Sequence, residues 1–95
     1  MSLAALNTSA IQLLDALAVE HGANWVRCVE VQDACEMTER TARRAWLRLR
    51  AYKLVQRRRV PYETSWCDKQ VRTTELGRAL IAACYADDYG VDYVD

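Results

Sequence analysis

Positive charge is concentrated in one stretch of this sequence, and arginine is the side chain best suited to bind phosphate. Residues 40–59 include nine basic residues and no acidic one, although the whole chain of 95 residues has a formal net charge of zero. Guanidinium groups donate paired hydrogen bonds to phosphate oxygens and to the edge of guanine. Arginines crowded on one surface also repel one another unless an anion lies between them. The stretch therefore predicts a surface that binds nucleic acid.

The basic stretch contains a strongly amphipathic helix, predicted over residues 38–52. Thr38 is a favourable N-cap, and good helix formers follow as far as Tyr52. On a helical wheel the apolar residues fall on one face and the arginines on the opposite face. The apolar face is formed by Ala42, Ala45, Trp46, Leu49 and Tyr52, and the basic face by Arg40, Arg43, Arg44, Arg48 and Arg50. A solvated helix face usually mixes both signs of charge, so a face of one sign favours an anionic ligand over mere solvation.

Leu47 is the exception, because it lies in the middle of the basic face. Three roles remain open for it: contact with the methyl group of a base, contact with a partner, or simple exposure, which is common for leucine.

The remaining chemically reactive residues do not form a pattern that indicates metal binding or catalysis. The four cysteines are Cys28, Cys35, Cys67 and Cys84, and their spacings contain no zinc-binding motif. The only histidine, His21, lies seven residues from Cys28, and no Gly-rich phosphate loop is present. Asp87 and Asp88 are adjacent and would point in different directions on a helix. We expect no metal, no cofactor and no enzymatic activity.

Length and composition predict one domain, over residues 1–95, with a core over 7–86 and an acidic tail, prone to fraying, over 87–95. No apolar run is long enough to span a membrane, and the first residues do not resemble a secretory signal. We therefore expect a cytoplasmic, nucleoid-associated protein with free thiols. The acidic tail could compete with DNA for the basic face, and its removal would then tighten DNA binding.

Three elements are predicted before the basic helix. The first is a helix over about residues 8–21, capped by Asn7, Thr8 or Ser9 and ended by Gly22. A brief strand follows over 25–27, and then a short helix over 29–36. The predicted fold class is mainly α with a small β-hairpin (α+β).

The hairpin is predicted to follow the basic helix. The segments "VQRRRV" and "WCDKQVR" read as its strands, with a turn over 61–65. A hairpin centred near Glu63 would pair Val60 with Trp66, Arg58 with Asp68, and Val55 with Val71.

A last helix is predicted after the hairpin, with Thr73 or Thr74 as its cap. Its apolar side would be formed by Leu76, Leu80, Ile81 and Cys84. Gly77 inside this helix indicates close packing against a neighbouring segment.

This order of elements resembles the winged helix-turn-helix DNA-binding superfamily, over about residues 7–85. The segment "VEVQDACEMTERTARRAWLRLRAYKLV" is similar to its support helix, turn and recognition helix, and "VQRRRVPYETSWCDKQVR" to its wing. The segment "TTELGRALIA" is similar to the start of the last helix in MarR-type and PadR-type transcription regulators. The chain departs from the pattern at Glu36 and Lys53, where glycine is frequent, and at Thr73, where leucine is usual.

The resemblance implies that the helix over 38–52 enters the major groove and that the wing over 55–72 contacts the DNA backbone or the minor groove. The residues assigned to DNA binding are Thr38, Arg40, Thr41, Arg43, Arg44, Arg48, Arg50, Arg57, Arg59 and Lys69.

Two kinds of contact are expected on the recognition helix. Arg40, Arg43 and Arg44 lie in its first turns and are candidates for bidentate contact with guanine. Arg48 and Arg50 lie further along and are expected to hold phosphates.

On the wing, Arg57 and Arg59 are expected to share one side, while Arg58 pairs with Asp68 across the hairpin.

The resemblance implies a small transcription regulator, a repressor, that binds double-stranded DNA. A homodimer through the first and last helices is expected, because one recognition helix reads few base pairs. Its apolar surface would be formed by Leu3, Leu6, Leu13, Leu80, Ile81, Ala83, Cys84 and Tyr85, unless these complete the monomer core. Two alternatives remain open: a DNA-binding protein of replication or partition, and a winged-helix protein-interaction module that does not bind DNA.

Overall fold

The chain folds into four helices and a small antiparallel sheet. The computed structural model describes residues 6–59 and 69–90, with side chains described as far as Ala86. In chain order the elements are α1 (Thr8–His21), β1 (Val26–Arg27), α2 (Cys28–Ala34), α3 (Glu39–Ala51), β2 (Val55–Arg58), β3 (Gln70–Thr73) and α4 (Glu75–Gly90). The predicted class, mainly α with a small sheet, is confirmed.

Side-chain caps fix where three of the helices begin, as the sequence predicts. The Asn7 carboxamide oxygen accepts a hydrogen bond from the amide of Ala10 at 2.9 Å at the start of α1. The Thr38 hydroxyl accepts from the amide of Thr41 at 3.3 Å at the start of α3. Of the two candidate caps for α4, Thr74 is the one used, and its hydroxyl accepts from the amide of Gly77 at 3.0 Å. Each bond satisfies an amide that has no partner within its helix.

The sheet has three antiparallel strands in the order β1-β3-β2. The brief strand before α2 therefore joins the hairpin, with Val26 opposite Val71. The sequence predicted that strand and the hairpin, but not the pairing between them, because their partners lie more than 40 residues apart.

The predicted register of the hairpin is wrong by two residues. Val55 lies opposite Thr73, and Arg58 lies opposite Gln70. The predicted partner of Arg58, Asp68, lies outside the described residues, as do Val60, Trp66 and the predicted turn. A shift of two residues leaves every side chain on the same face of the sheet, so the alternation of apolar residues could not exclude it.

The core lies between α1, α3 and the inner face of the sheet. Four residues of α3 are buried, as predicted from the wheel: Ala42, Ala45, Trp46 and Leu49. Leu6, Leu13 and Ile81 are buried as well, so they complete the core of the monomer and do not offer surface for a dimer. Leu3 lies outside the described residues.

Thr73 is buried at the end of β3, where the family resemblance suggested leucine. Its hydroxyl donates a hydrogen bond to the carbonyl oxygen of Gly22 at 2.7 Å, and Arg78 Nη1 donates to the same hydroxyl at 3.0 Å. The threonine therefore ties the end of β3 to the end of α1 and to α4.

The apolar side of α4 differs from the prediction at one position. Leu76 is 51% exposed, whereas Ile81 is buried and Leu80 is half-buried. Gly77 is buried and lies against the backbone of Leu54, which confirms the predicted close packing and sets the inward face of the helix. Leu76, one residue earlier, is turned away from the core. The helix runs to Gly90 and so includes the first part of the predicted tail.

Among the described segments, no helix combines the length and the apolar character needed to cross a lipid bilayer.

Candidate nucleic-acid interface

The outer face of α3 carries the basic side chains that the sequence placed there. Arg40, Arg43, Arg44, Arg48 and Arg50 are all exposed, and so are Thr38 and Thr41. Because Trp46 and Leu49 are fully buried on the opposite face, the helix cannot rotate to hide the arginines without exposing the core. The predicted division of α3 into a buried apolar face and an exposed basic face is confirmed.

The three arginines of the first turns are not neutralised by neighbouring carboxylates. Within the described residues, the structure gives Arg40, Arg43 and Arg44 no ion pair or hydrogen bond to another side chain. Glu39 is the only acidic residue of the helix. It lies in the first turn, where a negative charge interacts favourably with the helix dipole. The guanidinium groups are therefore available to an external anion.

Leu47 lies between two shallow depressions on the basic face. One depression is bordered by Glu39 as well as by Arg40, Arg43 and Arg44, and the other extends towards Tyr52. The side chain is 48% exposed. An apolar group thus occupies the centre of the cationic face, which leaves a base methyl, a partner or solvent as its neighbour.

The arginines of the wing do not share one surface. In β2, Val55 is buried and Arg57 is half-buried on the same side, towards the core, whereas Arg58 is exposed on the outer side. Arg59 is exposed just beyond the strand, and Lys69, just before β3, is half-buried.

The predicted partner of Arg58 is also wrong. Its Nε donates to Gln70 Oε1 at 2.6 Å, and its Cζ lies 4.5 Å from the centroid of the Trp25 ring. Sequence reasoning missed Trp25 and Arg72 as neighbours of Arg58, because only the three-stranded register brings them together. With the register known, the alternation of arginine and glutamine on β2 and β3 would have indicated that Arg58 and Arg72 lie on the same face of the sheet.

Two residues that replace the expected glycines adopt the conformation that glycine favours. Glu36, in the turn between α2 and α3, has φ 53°, and Lys53, after α3, has φ 60°. Both are left-handed conformations, which residues other than glycine, asparagine and aspartate rarely adopt. The turns therefore keep the backbone path that presents α3, at a cost in conformational strain.

Cys35 is not activated for chemistry. Cys28 is buried, and the Cys35 thiol lies 3.8 Å from the carbonyl oxygen of Gln12, to which it donates. Burial raises the pKa of the Cys35 thiol above its ordinary value, and the negative charge of Asp15 raises it further. Cys35 is therefore a protonated thiol at neutral pH and a poor nucleophile.

No protein-family model and no curated protein matches the sequence. Similar folds are found among solved structures. A MarR family regulator from Neisseria meningitidis matches 92% of this chain with 18% identity and a TM-score of 0.69. Another MarR family transcription regulator matches 90% of the chain with 21% identity and a TM-score of 0.72.

A third similar structure is MepR, a transcription regulator of the Staphylococcus aureus multidrug efflux pump MepA. It matches 95% of this chain with 18% identity and a TM-score of 0.66. The chain spans 58%, 53% and 67% of the length of these three proteins, in the order given. At such identities the likeness concerns the fold, and the chain has the winged helix-turn-helix fold of these MarR family structures.

Proposed function

We propose that the protein binds double-stranded DNA sequence-specifically and acts as a small transcription repressor. The observation that carries the proposal is the exposed row of arginines on α3, which the buried Trp46 and Leu49 hold outward. The major groove is wide enough to admit a helix, and neutralising phosphates releases counterions. The likeness to MarR family regulators supports the same function by analogy of fold.

Base contacts are assigned to the first turns of α3. Residues at the N-terminal end of a recognition helix reach base edges in helix-turn-helix proteins. Arg40, Arg43 and Arg44 are exposed there and without ion pairs to the described side chains, so they can each donate two hydrogen bonds to guanine. Arg48 and Arg50, further along the helix, are assigned to phosphates. Thr38 and Thr41 are close enough to the helix start to contact the backbone of the DNA.

Wing contacts are assigned to Arg57, Arg59 and Lys69. Arg59 is exposed just beyond the end of β2, which supports its role. Arg57 and Lys69 are half-buried, so they contribute only where their charged ends reach the surface.

We propose a homodimer through α1 and α4. Leu6, Leu13 and Ile81 are buried in the monomer, but other apolar side chains of these helices remain exposed. Val19, Leu76 and Tyr85 are large hydrophobic side chains that remain exposed on these helices. Two copies related by a twofold axis would present two α3 helices to successive half-sites. Sedimentation at micromolar concentration measures this state directly.

A function in replication or partition would use the same surface on a different DNA site. Selection of the genomic fragments that the protein binds separates these roles: fragments from promoter regions support the repressor, and fragments from a replication origin or partition site support the alternative. A protein-interaction module would bind no duplex DNA even at low salt. The exposed face of α3, with five arginines and Glu39 as its one acidic residue, favours DNA over that module.

A further inference from the structure

The outer face of the sheet forms a second cationic surface, distinct from α3. On this face arginine and glutamine alternate across the strands, with Gln56 opposite Arg72 and Arg58 opposite Gln70. Arg58 Nε donates to Gln70 Oε1 at 2.6 Å, and Arg72 Nε donates to Gln56 Oε1 at 2.8 Å. Each glutamine thus orients one guanidinium group through its Nε.

Both guanidinium groups lie close to the ring of Trp25. Arg58 Cζ lies 4.5 Å and Arg72 Cζ 4.6 Å from the centroid of its ring. Both distances fall within the range in which a cation is attracted by an indole ring. Each guanidinium group is therefore held both by a glutamine, through Nε, and by the Trp25 ring, so less conformational entropy is lost when a ligand binds.

The terminal nitrogens of these arginines remain available. Within residues 6–59 and 69–86, the hydrogen bonds of Arg58 and Arg72 use Nε alone, and neither side chain forms an ion pair. A shallow depression joins this surface to the end of α3, and Arg50 and Lys53 lie along it. No described aspartate or glutamate lines the depression. Two cations close to one ring concentrate positive charge on this surface, which attracts an anion.

We propose that the surface formed by Trp25, Arg58 and Arg72 binds phosphate groups of the same DNA duplex that α3 contacts. The inference rests on the proposed function and adds the outer face of the sheet to the DNA contacts already assigned to α3 and to the other wing residues. Phosphate is the fitting ligand because two forked donors with free terminal nitrogens match its oxygens. An unpaired base does not fit as well, since the Trp25 ring is already in contact with two guanidinium groups. Trp25 is a positioning residue, and the arginines make the contact.

The salt dependence of DNA binding tests the inference. Affinity for a random duplex is measured by fluorescence anisotropy over a series of salt concentrations for the full chain and for the double variant Arg58→Gln/Arg72→Gln. Each phosphate contact contributes about 0.9 to the slope of log K against log salt, so the variant is expected to lose roughly 2 from that slope. Its affinity at low salt is expected to fall about tenfold or more. Circular dichroism confirms that the variant is folded.

A charge-preserving double variant, Arg58→Lys/Arg72→Lys, is the matched control. It keeps both positive charges and is expected to keep most of the slope, because counterion release depends on charge. Its affinity is expected to fall below that of the natural chain, because lysine lacks the planar fork. If the glutamine variant keeps the slope and affinity of the natural chain, the inference is overturned. If the glutamine variant binds like the natural chain but the triple variant Arg40→Ala/Arg43→Ala/Arg44→Ala loses binding, this inference fails and the proposed function stands. If the natural chain binds no duplex, both fail.

Photo-crosslinking keeps the inference testable even if the glutamine variant does not fold. A benzophenone amino acid is introduced at Asn24, which is exposed and precedes Trp25 in the chain, and in a second protein at Ala83, which is exposed on α4. We expect crosslinks to duplex DNA from residue 24 and not from residue 83. Equal crosslinking from both positions, or none from residue 24 while DNA is bound, contradicts the inference.

Discussion

Gly77 lies directly against the carbonyl oxygen of Leu54, so that a Cβ atom at residue 77 would overlap it. The same oxygen accepts a hydrogen bond from the amide of Thr74 at 3.0 Å. Leu54 lies between the end of α3 and the start of β2. The contact therefore fixes α4 against the segment that sets the angle between these two candidate DNA-binding elements.

Gly77→Ala is expected to destabilise the protein by about 1–3 kcal/mol, the usual cost of forcing extra atoms into a packed site. Helix propensity alone predicts the opposite sign, since alanine is favoured over glycine by about 1 kcal/mol. Urea unfolding gives the free energy of unfolding for both proteins. A more stable variant would show that the backbone contact with Leu54 does not constrain this position.

Glu36→Gly is expected to stabilise the protein. The left-handed conformation at residue 36 costs about 1–2 kcal/mol for a residue with a Cβ. Glycine avoids this cost, but its greater conformational freedom in the unfolded state offsets about 0.5–1 kcal/mol of the gain. The net gain should be roughly 0.5–1 kcal/mol, seen as a higher urea midpoint with an unchanged m-value. Glu36→Ala is the matched control, because it removes the carboxylate and keeps the strain. Equal effects of the two substitutions would point to the charge and not to the backbone.

The parts of the fold that depend on local signals could be predicted from the sequence. The caps at Asn7 and Thr38, the glycine after α1, and the two faces of α3 are set by residues within a few positions of one another. For the same reason the exposed arginines of α3 could be named without a structure. The left-handed turns at Glu36 and Lys53 could be located only as departures from a family pattern.

The parts that depend on distant contacts could not be predicted. The register of β2 and β3 differs from the prediction by two residues, and both registers place Val55 and Val71 on the inner face. In the observed structure Val26 pairs with Val71, and the ring of Trp25 lies beside Arg58. These contacts join segments more than 30 residues apart. Leu76 was misplaced because the backbone contact of Gly77, and not the count of apolar residues, sets the inward face of α4.

Leu47 is expected to contact thymine methyl groups if α3 enters the major groove. On a duplex selected for tight binding, replacing a contacted thymine with uracil should weaken binding about fourfold, since one buried methyl group contributes roughly 0.8 kcal/mol. In Leu47→Ala the same replacement should have little effect. Competition anisotropy measures all four combinations. If uracil at every thymine of the site leaves the natural protein's affinity unchanged, Leu47 makes no such contact.

The reactivity of Cys35 is expected to depend on Asp15. Burial first, and then the charge of Asp15, raise the pKa of the thiol. Asp15→Asn should therefore shift the alkylation of Cys35, followed by mass spectrometry, towards lower pH. In urea the shift between the two proteins should vanish. An identical pH profile for the two folded proteins would show that Asp15 does not act on this thiol.

The raised pKa of Cys35 also predicts how stability depends on pH. The folded state holds the thiol proton more tightly than the unfolded state. The stabilisation is therefore fully present below the ordinary thiol pKa of 9.0 and is lost as the pH rises through the folded-state value. Urea unfolding over this alkaline range should show a decline that is smaller in Cys35→Ala. An equal decline in both proteins would assign it to other groups.

The binding of duplex DNA by Arg40→Ala/Arg43→Ala/Arg44→Ala tests the central claim most directly. These side chains are exposed and make no described contact, so the free energy of unfolding should stay within about 0.5 kcal/mol for each substitution. The affinity for a duplex that contains the selected binding site should fall steeply, by about 1–3 kcal/mol for each arginine that contacts a guanine. A folded variant that binds duplex DNA with the affinity and salt dependence of the natural chain would contradict the claim that this face of α3 contacts DNA.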